Sequence, residues 1–515
     1  MKVILENFGP IKRVEFYLTK DLNVIFGENN IGKSYAITAL YIILKHLLAE
    51  FGGSPEQHIR RLYRSSNSFS PFEFGQEYLD VTEEKVKLLV TEGGEPSPIE
   101  RFVGIISDKF EKNPKANSYD VKKDILSVMF DLLEPFRELV SNSLLNSFSS
   151  VESLIGGKKS KTPSLSIVFT EFVLHFQHRS GQFFLAKLDM MGTFKAKKNR
   201  VAHSMSVIAT KTILYFAVGG SPEEKSDNTQ VIVGALDRIL NNLRTELKSV
   251  ADRVYFLPAS RSGLYQGLSN MGGLLAELSK TRSSTASSVT LPNISEPVAD
   301  YFLQLSTIKY LNVKSPLAEE VGRIEQEILA GEIEFNEQDK KLYYKPRNAS
   351  RNIDIAFASS MVSEIAPIVA YCKYVLGGRF IVYGRGKKRG EVSQSYSALY
   401  CNLIFIEEPE AHLHPKVQVK LMEFFARLTK HNVKVVMTSH SNYMFNKLSN
   451  LLLTGEVEPE KVGSYLMRAT PEGSVMDDTV MRAEEEGIVD ENFVDVAEQL
   501  YNERLAAYDK LNAKQ

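Results

Sequence analysis

Three stretches of the chain are nearly continuous in apolar residues instead of alternating: residues 22–26, 403–406 and 433–437. Such runs predict strands buried on both faces, as in a parallel sheet. Each is followed by polar residues and then by apolar positions at helical spacing, over residues 34–50, 415–428 and 441–453. Strand, loop and helix in that order predict βα units with functional loops at the C-terminal ends of the strands. The first unit lies near residue 30 and the others beyond residue 400, so one core is assembled from both ends of the chain. The opening Met1-Lys-Val-Ile-Leu-Glu-Asn-Phe8 predicts a strand and lacks the long apolar region of a signal peptide.

Between these ends the pattern changes. Residues 51–80 are rich in Ser, Gly and Pro and predict a loop. Helical spacing dominates 83–148; strand-like runs occupy 164–177, 182–188 and 206–216; helix returns over 229–250. Residues 279–288 (SKTRSSTASS) form a low-complexity linker. The expected fold class is α/β, with a mixed sheet split by a large, mainly helical α+β insertion. The expected domains are a split head (1–50 and 250–470), an inserted lobe (51–249) and a C-terminal helical segment (471–515). No heptad pattern persists, so no long coiled-coil arm is expected.

Composition adds bounds. At 515 residues the chain exceeds one ordinary hydrophobic core. A formal net charge of −1 gives no chain-wide field favouring nucleic acid or membrane, so any such contact must be local. Two cysteines, Cys372 and Cys401, exclude a disulfide framework and suit a reducing cytosol. No apolar run is expected to reach the ~18 residues of a spanning helix, so a cytoplasmic protein without membrane contact is expected.

The chemistry concentrates at the strand ends. Gly27-Glu28-Asn29-Asn30-Ile31-Gly32-Lys33-Ser34 fits G-x-x-x-x-G-K-[ST] between a predicted strand and helix. Its glycines let backbone N–H groups turn toward phosphate oxygens at the positive end of the helix dipole. Lys33 should reach the β- and γ-phosphates of ATP, Ser34 should ligate Mg²⁺, and Tyr35 completes the loop's exit into the helix. Leu403-Ile-Phe-Ile-Glu407-Glu408-Pro-Glu410 is an apolar strand ending in adjacent carboxylates. Glu407 is assigned to the metal and Glu408 to the general base that polarises the attacking water.

Four further features stay open on the residues alone. His412 and His414 in Glu410-Ala-His-Leu-His-Pro415 form an H-x-H that would suit a metal, but Pro415 favours a helix start with His414 near its cap. His440, ending Val433-Lys-Val-Val-Met-Thr-Ser-His440, either senses the γ-phosphate and attacking water or caps the next helix. Ser359 and Ser360 are a helix cap or an anion site at a helix N-terminus. Arg261 contacts nucleotide or a neighbouring subunit, or makes a structural salt bridge.

Together these segments, with Asn7-Phe-Gly-Pro-Ile11, Tyr255-Phe-Leu-Pro-Ala-Ser-Arg261 and Ile328-Leu-Ala-Gly-Glu-Ile333, resemble ABC-type ATPases of the SMC, Rad50 and RecF group. The likeness runs nearest to the overcoming-lysogenization-defect (OLD) ATPases and the PtuA-like ATPases of Septu and retron-associated anti-phage systems. It covers about 1–50 and 250–470. The resemblance implies an ABC-type P-loop nucleotide-binding domain and a head-to-tail homodimer, or a higher oligomer. Two ATP molecules are then held between each phosphate loop and the opposing Ser359–Ser360 segment, with His440 as switch histidine. Met361 stands where the signature usually has glycine, and Glu407 replaces the more usual Asp, so hydrolysis is expected to be slow or partner-dependent. OLD proteins carry a C-terminal TOPRIM nuclease, for which residues 441–515 are too few; Asp477 and Asp478 read as a solvated turn. The resemblance therefore implies a separate HNH nuclease partner (PtuB-like), and in retron systems a reverse transcriptase with its DNA product.

Three basic clusters are candidates for nucleic acid: Arg385, Lys387, Lys388 and Arg389 foremost, then Lys158, Lys159 and Lys161, and Lys195, Lys197, Lys198 and Arg200. The competing functions are a DNA-repair ATPase of RecF or Rad50 type, and a nucleotide-bound scaffold with little hydrolysis.

Overall fold

The computed structural model describes residues 1–52, 98–148, 162–179, 182–199, 205–208, 211–218, 222–267, 294–308, 315–348, 351–376, 379–384, 393–477, 481–488 and 494–512. The expected 51–80 loop, the 279–288 linker and the basic runs 158–161 and 385–389 lie largely or wholly outside these residues.

The near-continuous apolar runs form the middle of the parallel part of an eleven-stranded mixed sheet. Arg253–Leu257, Asn402–Glu407, Val433–Ser439, Leu22–Gly27 and Val462–Arg468 lie side by side and parallel in that order. Their residues are buried on both faces because helices cover both. Ile25, Phe405 and Val436 point into one apolar layer, and Val24, Phe26, Ile404, Ile406 and Val435 into the other. Helix Lys33–Phe51 packs on the first face, where Tyr41 meets Phe256 and Phe405 at ring distances of 5.2 and 5.8 Å. Helices Pro415–Leu428 and Asn442–Leu453 cover the second. The latter starts where the Ser441 hydroxyl accepts from Met444 N, a cap worth about 1 kcal/mol.

Beyond Val462–Arg468 neighbouring strands of the sheet pair antiparallel, except that Ser474–Asp477 and Ile11–Tyr17 run parallel. Ser474–Asp477, Ile11–Tyr17, Lys2–Phe8, Ser164–Val168, Phe172–Arg179 and Gln182–Met190 continue it. Three strands from the expected insertion thus extend the head's own sheet through Lys2–Phe8. The run 164–177 is two strands divided by a turn in which Phe169 N donates to Phe172 O. Likewise 206–216 divides into Met205–Ile208 and Lys211–Ala217. Thr193–Asn199 is a further strand beyond the predicted runs, because its lysines hide an alternation in which Phe194 and Ala196 are buried. Helices Pro98–Lys112, Lys122–Leu132, Glu134–Ser147 and Pro222–Val250 supply the helical part.

One expectation needs correction. Helix Lys33–Phe51 is long and apolar enough to cross a membrane by length and composition, although no such run was expected. Its apolar residues are accounted for by the fold, since 61% of its apolar stretch is buried inside the protein.

Candidate active site

Register brings the strand ends to one level. Gly27 pairs with Met467, Phe26 with Ser439, Glu407 with Thr438 and Ile406 with Leu257. Every residue that follows these positions is therefore delivered to the same sheet edge.

The loop after Leu22–Gly27 depends on its glycines. Gly27 has φ +141°, and a Cβ there would collide with the Met467 carbonyl oxygen. Gly32, at φ +93°, would place a Cβ 2.7 Å from Pro10 Cγ, which ties the Asn7–Ile11 segment to the loop. Asn30 also takes a left-handed conformation, with φ 62°. Glu28, Asn29 and Asn30 are exposed at the loop's crown, whereas Ile31 is buried beneath it. The first bond of the following helix runs from Ala36 N to Gly32 O. The N–H groups of Lys33, Ser34 and Tyr35 precede it and have no intrahelical acceptor. The Tyr35 ring stacks on Phe148 at 4.9 Å, so the residue can serve a ligand here through its backbone. The Lys33 ammonium donates to the carbonyls of Gly27 (3.0 Å) and Glu28 (2.5 Å). Burial pushes its pKa down to about 8 against the pull of Glu408, Glu410 and Glu28.

Opposite the loop, strand Asn402–Glu407 ends in the two carboxylates. Glu407 is buried, accepts from Ala259 N at 3.2 Å, and hydrogen-bonds the Ser34 hydroxyl. Burial raises its pKa, and those two hydrogen bonds oppose the rise. Ser34 and Glu407 thus present adjacent hard oxygens that could hold a divalent cation. Glu408 has φ +40°, a costly conformation for a residue with a side chain. Its N–H donates to Thr438 O at 3.2 Å and to Thr438 Oγ1 at 3.3 Å. That turn directs its carboxylate toward His440, whose Nε2 lies 3.4 Å from Glu408 Oε1. Its pKa is lowered, first by the His440 hydrogen bond and then by nearby positive charge, against the cost of burial. His440 Nδ1 lies 3.5 Å from Lys33 Nζ. The two ring nitrogens thus face Lys33 and Glu408, one on each side.

His440 is held from behind by Glu410, whose Oε1 accepts from His440 N (2.5 Å) and from Ser439 Oγ (2.9 Å). Burial raises the Glu410 pKa, and its Oε2 has no hydrogen-bond partner among the described residues. Glu410, Thr438 and Ala259 were not assigned roles from the sequence. Glu410 was visible in the motif, but nothing there indicated which way it turns.

Ser359 sits at the N-cap of helix Ser360–Ala370 without a side-chain capping bond, so its hydroxyl is not spent as a cap. Ser359 and Ser360 are exposed, beside Phe357, which is 84% exposed. Arg261 is completely buried and pairs with Glu364 at 3.4 Å, which settles it as a structural ion pair and excludes direct nucleotide or subunit contact. His414 caps helix Pro415–Leu428 by accepting from Lys416 N, and His412 is exposed; no group of three metal-ligating side chains occurs among the described residues. The cluster Arg385, Lys387, Lys388 and Arg389 lies outside the described residues, between strands Arg379–Gly384 and Ser393–Leu399.

A glycine loop entering a helix from the parallel part of the sheet, faced by an acid pair on a nearby strand and a histidine at the end of the strand between, has the arrangement of a P-loop ATPase site. Residues 1–125 and 381–445 match the family model described as an AAA ATPase domain, which takes in both halves of this site. Over 244 residues the chain is 24% identical to structural maintenance of chromosomes protein 6 of Schizosaccharomyces pombe, covering 44% of this chain. It spans about a fifth of that relative's length (20%). Among solved structures, an Smc head bound to the C-winged helix domain of ScpA has a TM-score of 0.35 at 10% identity, covering 92% of this chain and 96% of that one. An Smc head with an extended coiled coil, bound to the C-terminal domain of ScpA derived from Pyrococcus furiosus, gives 0.34 at 9%, covering 98% of both. The SMC head domain from Thermotoga maritima gives 0.30 at 9%, covering 93% and 98%.

Proposed function

We propose that this chain binds ATP with Mg²⁺ and hydrolyses it as a homodimer, and that its nucleotide state governs a partner nuclease. The observation that carries the catalytic part is the meeting of Lys33, Glu408 and His440 beside the Ser34–Glu407 pair. In this reading the loop N–H groups and Lys33 hold the triphosphate, and Ser34 and Glu407 hold the metal. Bound there, Mg²⁺ neutralises part of the phosphate charge. Glu408, kept ionised by its neighbours, accepts the proton of the attacking water, and His440 orients it. The exposed Ser359 and Ser360, at the positive end of a helix, suit the γ-phosphate held by a second copy.

Turnover and nucleotide affinity of the purified chain test this. Lys33→Ala should lose both, and Glu408→Gln should lose turnover while still binding ATP. Unchanged nucleotide affinity in Lys33→Ala would end the reading. Dimerisation should need ATP and fail in Ser360→Arg, by light scattering.

The defence role, with an HNH nuclease and in retron settings a reverse transcriptase and its DNA product, rests on the sequence resemblance, as do the cytoplasmic location and the division into split head, inserted lobe and C-terminal segment. Purification with the native neighbours tests the role: a co-eluting HNH nuclease supports it. A second reading, an ATPase acting on DNA in repair or chromosome structure, is favoured by the match to a structural maintenance of chromosomes protein. It would be supported by ATP-dependent DNA clamping without a nuclease partner.

A further inference from the structure

Arg261 is among the largest fully buried side chains of the protein, and its position is unusual for a guanidinium. An unpaired charge at such depth would cost several kcal/mol, so each donor needs an acceptor. They are found on three separate elements. Nη1 donates to Pro258 O (3.1 Å) and Glu407 O (2.8 Å), Nη2 to Glu408 O (3.4 Å), and Nε to Glu364 O (3.4 Å). Nη2 also lies 3.4 Å from Glu364 Oε2, while Glu364 Oε1 accepts from Ser262 Oγ at 2.5 Å. Glu364 lies in the second turn of helix Ser360–Ala370, whose start presents Ser359 and Ser360. One planar fork therefore grips the peptide carrying the left-handed Glu408 and, at the same time, the helix that begins with the two serines.

We propose that Arg261 is a positioning residue that links the Ser359–Ser360 helix start to the Glu408 carboxylate, so that engagement of those serines sets the rate of hydrolysis. The link is mechanical. A small shift of the helix moves Glu364, Glu364 moves the rigid guanidinium, and the guanidinium moves the carbonyls of Glu407 and Glu408, which flank the Glu408 α-carbon. Glu408 is the sensitive point because its backbone conformation persists only while its surroundings hold it. Lysine could not replace the fork, since its single ammonium cannot reach acceptors on three elements in one plane. This rests on the reading of Glu408 as the base proposed above.

The test uses the full chain with Glu364→Gln and Ser262→Ala, neither of which removes a group assigned to nucleotide or metal. Both should lower kcat, by tenfold or more for Glu364→Gln and about threefold for Ser262→Ala, with ATP affinity within twofold of wild type. Arg261→Lys should not restore the rate. In a Ser360→Ala background, Ser262→Ala should cost no further activity, because the input to the link is already gone. Unchanged kcat in Ser262→Ala, or losses that simply add in the double variant, would overturn the proposal; Ser262→Ala decides the matter if Glu364→Gln fails to fold. Glu408→Gln run alongside separates the two readings. If it keeps full turnover the assignment of the base fails, and if it alone loses turnover only the link fails.

Discussion

His440 Nε2 lies 3.4 Å from Glu408 Oε1, while the other ring nitrogen lies 3.5 Å from Lys33 Nζ. The imidazole therefore spans the gap between the phosphate loop and the acid strand. It is held there by its own backbone N–H, which donates to Glu410. Removing the ring should free the Glu408 carboxylate to rotate without disturbing the loop. His440→Ala is expected to lower kcat by about 10–100-fold and to leave ATP affinity nearly unchanged, with His440→Gln between. A parallel loss of affinity would show that His440 serves binding instead.

Glu407 can be separated from Glu408 by its dependence on metal. Glu407→Gln keeps an acceptor for Ala259 N but loses the charge next to Ser34. The Mg²⁺ concentration for half-maximal turnover should rise at least tenfold, and ATP binding in excess chelator should match wild type. If the Mg²⁺ requirement is unmoved, Glu407 is not at the metal.

Gly27 is a structural prediction at the same place. Gly27→Ala meets both a left-handed φ and the Met467 carbonyl, so it should destabilise the protein by about 1–3 kcal/mol and abolish ATP binding. Gly455 has positive φ too but open space around it, so Gly455→Ala should cost less and leave binding intact. Equal melting temperatures for wild type and Gly27→Ala would contradict this account.

A pH-dependent contribution sits behind the loop's helix. Lys45 donates to Glu296 (2.6 Å) and Asp300 (2.5 Å), Tyr41 donates to Asp300 (2.7 Å), and His46 lies between Ser143 and Glu296. Burial would raise the Glu296 pKa, but hydrogen bonds from His46, Lys45 and Ser143 outweigh it and hold the carboxyl at about 2. A depressed carboxyl pKa gives stability that is complete above the ordinary value of 4.5 and disappears as pH falls toward 2. The size is on the order of 3 kcal/mol. Glu296→Gln should therefore destabilise the protein at pH 7 and much less at pH 3, measured by denaturant unfolding. An equal deficit at both values would remove the carboxylate's charge from the explanation.

Candidate chemistry carried on contiguous residues was legible in the chain alone. The loop Gly27–Ser34 needs its glycines and lysine at fixed spacing, and the strand ending in Glu407 and Glu408 announces itself by a near-continuous apolar run before two acids. The split core followed from the same pattern, because a buried parallel strand near residue 25 needs partners that only the other end of the chain offers. Features that depend on register and direction emerged with the folded arrangement. That Ser164–Met190 completes the head's sheet was settled by pairing with Lys2–Phe8, since an alternating strand carries no mark of which edge it joins. Arg261 and Glu364 were each visible as charged residues among serines, but charge has no address in sequence. Burial made them partners, because a guanidinium shut away from water is stable only where carboxylate and carbonyl oxygens converge on it.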